Sequence, residues 1–130
     1  MQQLSIFLEN SKGRLADVLN ILSDLSVNMR ALSLADTKDY GVLRIIVDEP
    51  EAVAAQLKER ECVVALTPVW ILKVPDHVGG LARVLSQLVQ EGVIVEYLYA
   101  FVEKANEQAQ VVLRVRDDKV MEKAMESISL

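Results

Sequence analysis

Gly13-Arg14-Leu15-Ala16-Asp17-Val18-Leu19 and Gly79-Gly80-Leu81-Ala82-Arg83-Val84-Leu85 carry Gly, Leu, Ala, Val and Leu at the same places, 66 positions apart. The register extends beyond the heptads: the same offset pairs Leu22 with Leu88, Val27 with Val93 and Leu32 with Leu98. Further on, an offset of 68 matches Leu43, Ile45 and Val47 to Val111, Leu113 and Val115, so one loop differs by about two residues between copies. Self-similarity at a fixed period marks a repeated structural unit. Reading one copy therefore reads most of the other.

In the first copy the apolar period changes along the chain. Leu4, Ile6 and Leu8 alternate as in a strand, whereas Leu15, Val18, Leu19, Leu22 and Leu25 recur at helical spacing. A segment from Val27 to about Ala35 is apolar on both faces; the turn-rich Asp36-Thr37-Lys38-Asp39-Tyr40-Gly41 and then Val42 to Val47 complete a hairpin. Asp48-Glu49-Pro50-Glu51 reads as a helix start, with Pro in the first turn and acids where the helix dipole favours them, and Cys62 to Leu66 as a last strand. The order is βαββαβ.

The second copy repeats it as Val69 to Val74, a helix from about Gly80 to Gln90, strands over Val93 to Val102 and Val111 to Val115, and a helix from Asp118. Only Ser127 to Leu130 follow, too few for a full last strand, so either the chain is a trimmed version of a longer protein or that sheet edge is open or completed by another element. The expected units are 1–67 and 68–130, each an α+β fold with an antiparallel sheet. On strict alternation, Val95, Tyr97, Tyr99 and Phe101 share one side of their strand, with Ile94, Leu98, Ala100 and Val102 on the other. Both faces are thus predicted to be buried, against the other repeat or a second chain. An aromatic stripe of this kind serves either packing or base stacking.

Composition narrows the function. The 130 residues carry 19 acidic and 14 basic side chains, a formal charge of −5, which leaves no basic stripe for phosphates and argues against nucleic acid. Hydrophobic residues make up 52%. No apolar run approaches the roughly 18 residues of a membrane span, and Met1-Gln2-Gln3-Leu4 lacks signal-peptide character, so a soluble cytoplasmic protein is expected. The single cysteine, Cys62, excludes an internal disulfide and lies in an apolar stretch, as a small buried side chain or a reactive thiol. With one histidine, one cysteine and no cluster of acids, no metal, cofactor or catalytic set is expected.

Each copy places a polar, glycine-bearing loop between its first strand and first helix: Glu9 to Leu15, and Pro75 to Leu81. Asn10, Ser11 and Asp76 could cap helices there, with the glycines permitting the turn. Alternatively, free N–H groups at a helix start attract a carboxylate, glycine admits a ligand close to the backbone, and an Asn or Asp oxygen accepts from an ammonium group. An α-amino acid carries both charges. His77, the only histidine, sits in the second loop, either as a ligand contact or as an exposed residue without a role. Trp70 occupies a core-parity position equivalent to Leu4.

Strand, Asn or Asp three residues before Gly, Leu two after it, helix, then Val27-Asn28-Met29 and Gly92 to Phe101: this pattern resembles the ACT domain, a ferredoxin-like βαββαβ module with helices on one face of the sheet. The resemblance covers both copies, about Leu4 to Ile128, and the layout is similar to small tandem ACT proteins without an attached enzyme. It implies amino-acid binding at an interface between domains. On it, Asn10, Ser11, Gly13 and Leu15 form the first loop's site, Asp76, His77, Gly79, Gly80 and Leu81 the second's, and Asn28 the polar residue of the family's second strand. Ile94 replaces that polar residue in the second copy, and Lys12 stands where the family often has Pro. The crossed pairing usual in the family would set Asp76 to Gly80 against Asn28.

Two functional expectations follow. One is a stand-alone regulator or sensor that binds an amino acid, homodimeric and non-enzymatic. The other is a ligand-free module that dimerises or docks on a biosynthetic enzyme. An acylphosphatase-type hydrolase needs an arginine-bearing phosphate loop, for which Arg14 alone is weak support.

Overall fold

The computed structural model describes residues 1–9, 11–36, 39–103 and 108–128. The first copy runs β1 (Gln2–Glu9), α1 (Arg14–Asp24), β2 (Ala31–Asp36), β3 (Tyr40–Ile46), α2 (Pro50–Glu59) and β4 (Val63–Pro68). Its sheet is antiparallel throughout, in the order β2-β3-β1-β4. Leu4 lies opposite Ile45 and Ile6 opposite Leu43, so the alternating apolar rows of two central strands share one face. Val18 and Leu22 of α1 and Val53, Ala54 and Leu57 of α2 close over that face, with Cys62 buried at its margin.

The second copy runs β5 (Trp70–Pro75), α3 (Gly80–Gln90), β6 (Val95–Ala100), β7 (Gln108–Val115) and α4 (Asp118–Ser127). Its sheet, β5-β7-β6, reproduces β1-β3-β2. Among the described residues no strand repeats β4; Ile128 packs on the core, and Ser129 and Leu130 lie outside those residues. Leu72, Val74, Val111, Leu113 and Val115 meet Val84, Leu88, Met121 and Ala124 of the two helices. The chain divides into two compact units, Gln2–Pro68 and Val69–Leu130 with Met1.

Three helix ends share one terminating device. After α1, Ser26 takes a φ of 57°, its N–H donates to Ser23 O, and the Val27 N–H donates to Leu22 O. Glu61 with Cys62 after α2, and Gly92 with Val93 after α3, repeat this pairing, in which a left-handed residue satisfies the last carbonyls and the next one turns back to the core. Val27 and Val93 therefore end helices rather than begin strands. That corrects the predicted starts: β2 begins at Ala31, after Arg30 N–H donates to Ile46 O, and β6 at Val95.

A second correction concerns side-chain direction. Val95 lies opposite Val115, but Tyr97 lies opposite Arg114, so Glu96 is an extra residue, a β-bulge. Val95 consequently joins Leu98 and Ala100 on the helix side. Tyr97 and Tyr99 point the other way, rings stacked with centroids 6.5 Å apart. On this helix-free side Tyr99 is 8% exposed and Val112 fully buried. Leu98 on the helix side of β6 is 37% exposed, and Ile94 and Val102, which flank the strand, are more so, against the expectation that both faces are buried. The equivalent edge strand β2 likewise exposes Leu32 and Leu34. An edge strand has a neighbour on one side only.

Two contacts tie α4 in place. Asp117 Oδ1 accepts from the Lys119 N–H at 2.9 Å and the Val120 N–H at 3.4 Å, and Trp70 Nε1 donates to Asp118 Oδ1 at 3.0 Å. Trp70 packs on the core as its parity predicts. Asp117→Ala should cost about 1 kcal/mol in a denaturant melt through loss of the cap.

Candidate functional site

Both glycine loops adopt the same backbone path from different sequences. In the first, Ser11 N–H donates to Glu9 O at 2.8 Å and Arg14 N–H to Ser11 O at 3.3 Å; in the second, His77 N–H donates to Pro75 O and Gly80 N–H to His77 O, each at 3.0 Å. Two successive turns thus carry each strand end into a helix. Gly13 and Gly79 occupy the N-cap positions with φ of 82° and 86°, a left-handed conformation that a Cβ disfavours. Glycine at the N-cap brings no side chain of its own to cap either helix. Asn10, one of the residues considered as a cap, lies outside the described residues. Asp117 on α4 shows what a capped start looks like in this chain.

A Cβ built on Gly13 or Gly79 would meet nothing within 4 Å, so open space lies above both helix starts. Gly80 differs: a Cβ there would overlap the Pro75 carbonyl oxygen. Its role is close packing of α3 on the end of β5. Leu15 and Leu81, both partly buried, pack against their own cores and anchor each loop.

The residues singled out from the sequence fall in separate places. Ser11 and Leu15 line a cleft of about 140 Å³ with Glu9, Arg14 and Asp36. Asn28 lines another of about 370 Å³ with Asp48, Glu49 and Gln56, an acid-rich wall suited to an ammonium group. Within the first unit these lie at opposite ends of β2, which at about 3.3 Å per residue separates them by roughly 17 Å. His77 and Gly80 border a third cleft of about 210 Å³, whose other walls include Lys73, Arg83, Gln87 and Gln108. His77 is exposed, with Nδ1 3.1 Å from Val78 O. Asp76 and Gly79 lie exposed on the same loop.

Sequence reasoning passed over Lys73 and Arg83. The repeat itself carried the signal, because the 66-residue offset sets Lys73 against Phe7 and Arg83 against Asp17. Among the described residues no group of three or more His, Cys, Asp or Glu is placed to hold a metal ion. Among those residues no helix is long and apolar enough to cross a membrane.

Two ferredoxin-like units in tandem, each opening its first helix on a left-handed glycine, define a protein of two βαββαβ-like units. The profile of the ACT domain pair family matches residues 1–130, and the chain belongs to that family. It is similar to protein BT0572 from Bacteroides thetaiotaomicron, whose crystal structure superposes with a TM-score of 0.86 at 40% identity, covering 97% of this chain and 87% of that one. The fold is shared with the regulatory subunit of aspartate kinase from Thermus thermophilus in its ligand-free form (TM-score 0.65, 10% identity, 98% and 92% of the two chains). The corresponding subunit from Thermus flavus gives 0.65 at 12% identity, with 97% and 88% covered. No curated protein matches the chain.

Proposed function

We propose that the protein is a non-enzymatic regulatory module that binds an amino acid at its glycine loops. The observation that carries this reading is the pair of helix starts, each with open space above a left-handed glycine. N–H groups at such a start favour a carboxylate, and the absence of a Cβ lets it approach. Membership of the ACT domain pair family supports the reading, as does the likeness in fold to aspartate kinase regulatory subunits.

Titrating the twenty amino acids while following the melting transition tests it. A ligand at about 100 times its Kd should add about 2.7 kcal/mol of stability. Asp76→Ala or Asn28→Ala should reduce that gain without altering the far-UV spectrum, since both residues are exposed. No response to any amino acid would refute the proposal.

A second reading, a docking or dimerisation module without a ligand, is favoured by the exposed apolar rows on β2 and β6, Leu32 and Leu34 at 41% and 48% among them. It would be preferred if the titration were silent and Leu34→Lys converted a dimer to a monomer in sedimentation.

A further inference from the structure

The cleft beside the second loop has a charge that the rest of the molecule does not lead one to expect. In a chain of net charge −5, Lys73 on β5 and Arg83 on α3 converge on it, joined by His77 and by the amide side chains of Gln87 and Gln108. Among the described residues no acidic side chain lines it. Among the described residues neither Lys73 nor Arg83 enters a salt bridge or a side-chain hydrogen bond, whereas Arg30 and Arg114 are both paired. Two cations held near one another without a counter-charge repel, so a bound anion would relieve a cost as well as gain an attraction.

The first unit shows that this is no by-product of the fold. Phe7 and Asp17 stand at the positions of Lys73 and Arg83, and Phe7 lies opposite Val63 of the fourth strand. In the second unit β5 pairs only with β7 among the described residues, and the flank of α3 beside it carries Arg83 and Gln87 one turn apart on the cleft wall. Gly80 and buried Val84 supply a floor without bulky polar groups. A volume of about 210 Å³ suits a small ligand rather than a macromolecule.

We propose that this cleft is a binding site for a small dianion, a dicarboxylate or a phosphate, held between Lys73 and Arg83 and hydrogen-bonded by Gln87, Gln108 and the His77 ring. It shares His77 and Gly80 with the second glycine loop but does not rest on the amino-acid reading. That reading uses the open space above Gly13 and Gly79, whereas this site uses the side chains on the flank of α3.

Calorimetric titration of the full chain with succinate, inorganic phosphate and neutral acetamide tests it. The expected result is one-to-one binding of succinate or phosphate and none of acetamide, with the tighter of the two anions identifying the ligand chemistry. Lys73→Gln and Arg83→Gln should each raise Kd at least tenfold, and Lys58→Gln, a lysine on α2, should leave it unchanged. Lys73 and Arg83 are exposed, so both variants should keep the parent melting temperature. Failure of both anions to bind, or binding indifferent to both substitutions, would overturn the proposal. A melting response to a neutral amino acid that persists in the Lys73→Gln/Arg83→Gln double variant would leave the amino-acid reading standing, whichever way the anion titration falls.

Discussion

Leu88→Ala is expected to lower the stability of the second unit by about 2–5 kcal/mol, and Leu22→Ala to do the same to the first. Both side chains are fully buried, at equivalent positions on α3 and α1. Each sits between the strands and the helix-terminating turn: Leu88 O accepts the Val93 N–H, and Leu22 O the Val27 N–H. Truncation removes the transfer free energy of the lost atoms and leaves a cavity that two short layers collapse into only partly. Small domains hold a few kcal/mol in reserve, so the effect should be visible as local unfolding in hydrogen exchange as well as in urea melts. Val89→Ala, on the exposed face of the same helix, is the control and should change stability by less than about 0.5 kcal/mol. A loss below about 1 kcal/mol for Leu88→Ala would contradict the placement of that side chain.

The adjacent glycines of the second loop should respond to alanine for different reasons. Gly80→Ala drives a Cβ into the Pro75 carbonyl, so either α3 or the end of β5 must shift, at a cost of about 1–3 kcal/mol. Gly79→Ala meets open space, but its φ of 86° costs about 1–2 kcal/mol by itself. The readout that separates them is geometry. Gly80→Ala should perturb the walls of the cleft lined by Lys73 and Arg83, whereas Gly79→Ala should leave those residues' NMR shifts in place. Gly13→Ala, with a φ of 82° and equally open surroundings, should match Gly79→Ala. Equal disturbance from all three would contradict the steric role assigned to Gly80.

The repeat made the fold legible, because two copies with the same change of period constrain each other. The 66-residue offset found the glycine loops and the helix after each, and the offset of 68 matched the strands that became β3 and β7. The reading failed where local geometry departs from regular periods. A single bulge at Glu96 reverses the side on which Val95 lies, and nothing in its apolar neighbours announces an extra residue. Val27 and Val93 look like strand residues, yet they serve the turn that ends a helix, since a C-terminal motif and a strand start both call for an apolar side chain directed at the core. The Trp70–Asp118 hydrogen bond joins residues 48 apart and depends on tertiary packing that no local pattern encodes.

The candidate site was legible in part. The glycines were found for their conformational freedom, which holds for Gly13 and Gly79, but the requirement at Gly80 is a close approach of backbone to backbone. The cations Lys73 and Arg83 stood out only by comparison between copies, as charges where the first copy has an aromatic ring and an acid. Leu15 and Leu81, implied as ligand residues by the family resemblance, are partly buried and pack on their cores, and Leu15 also lines the cleft beside Ser11.

Amide NMR during titration with the amino acid that most raises the melting temperature is the most direct test of binding at the glycine loops. Because a carboxylate would bind at the two helix starts, the largest shifts should fall on residues 13–16, on residues 79–82, or on both, and saturate at a stoichiometric ratio. Saturating shifts confined to the exposed edges of β2 and β6, with the amides of both glycine loops unmoved, would contradict it.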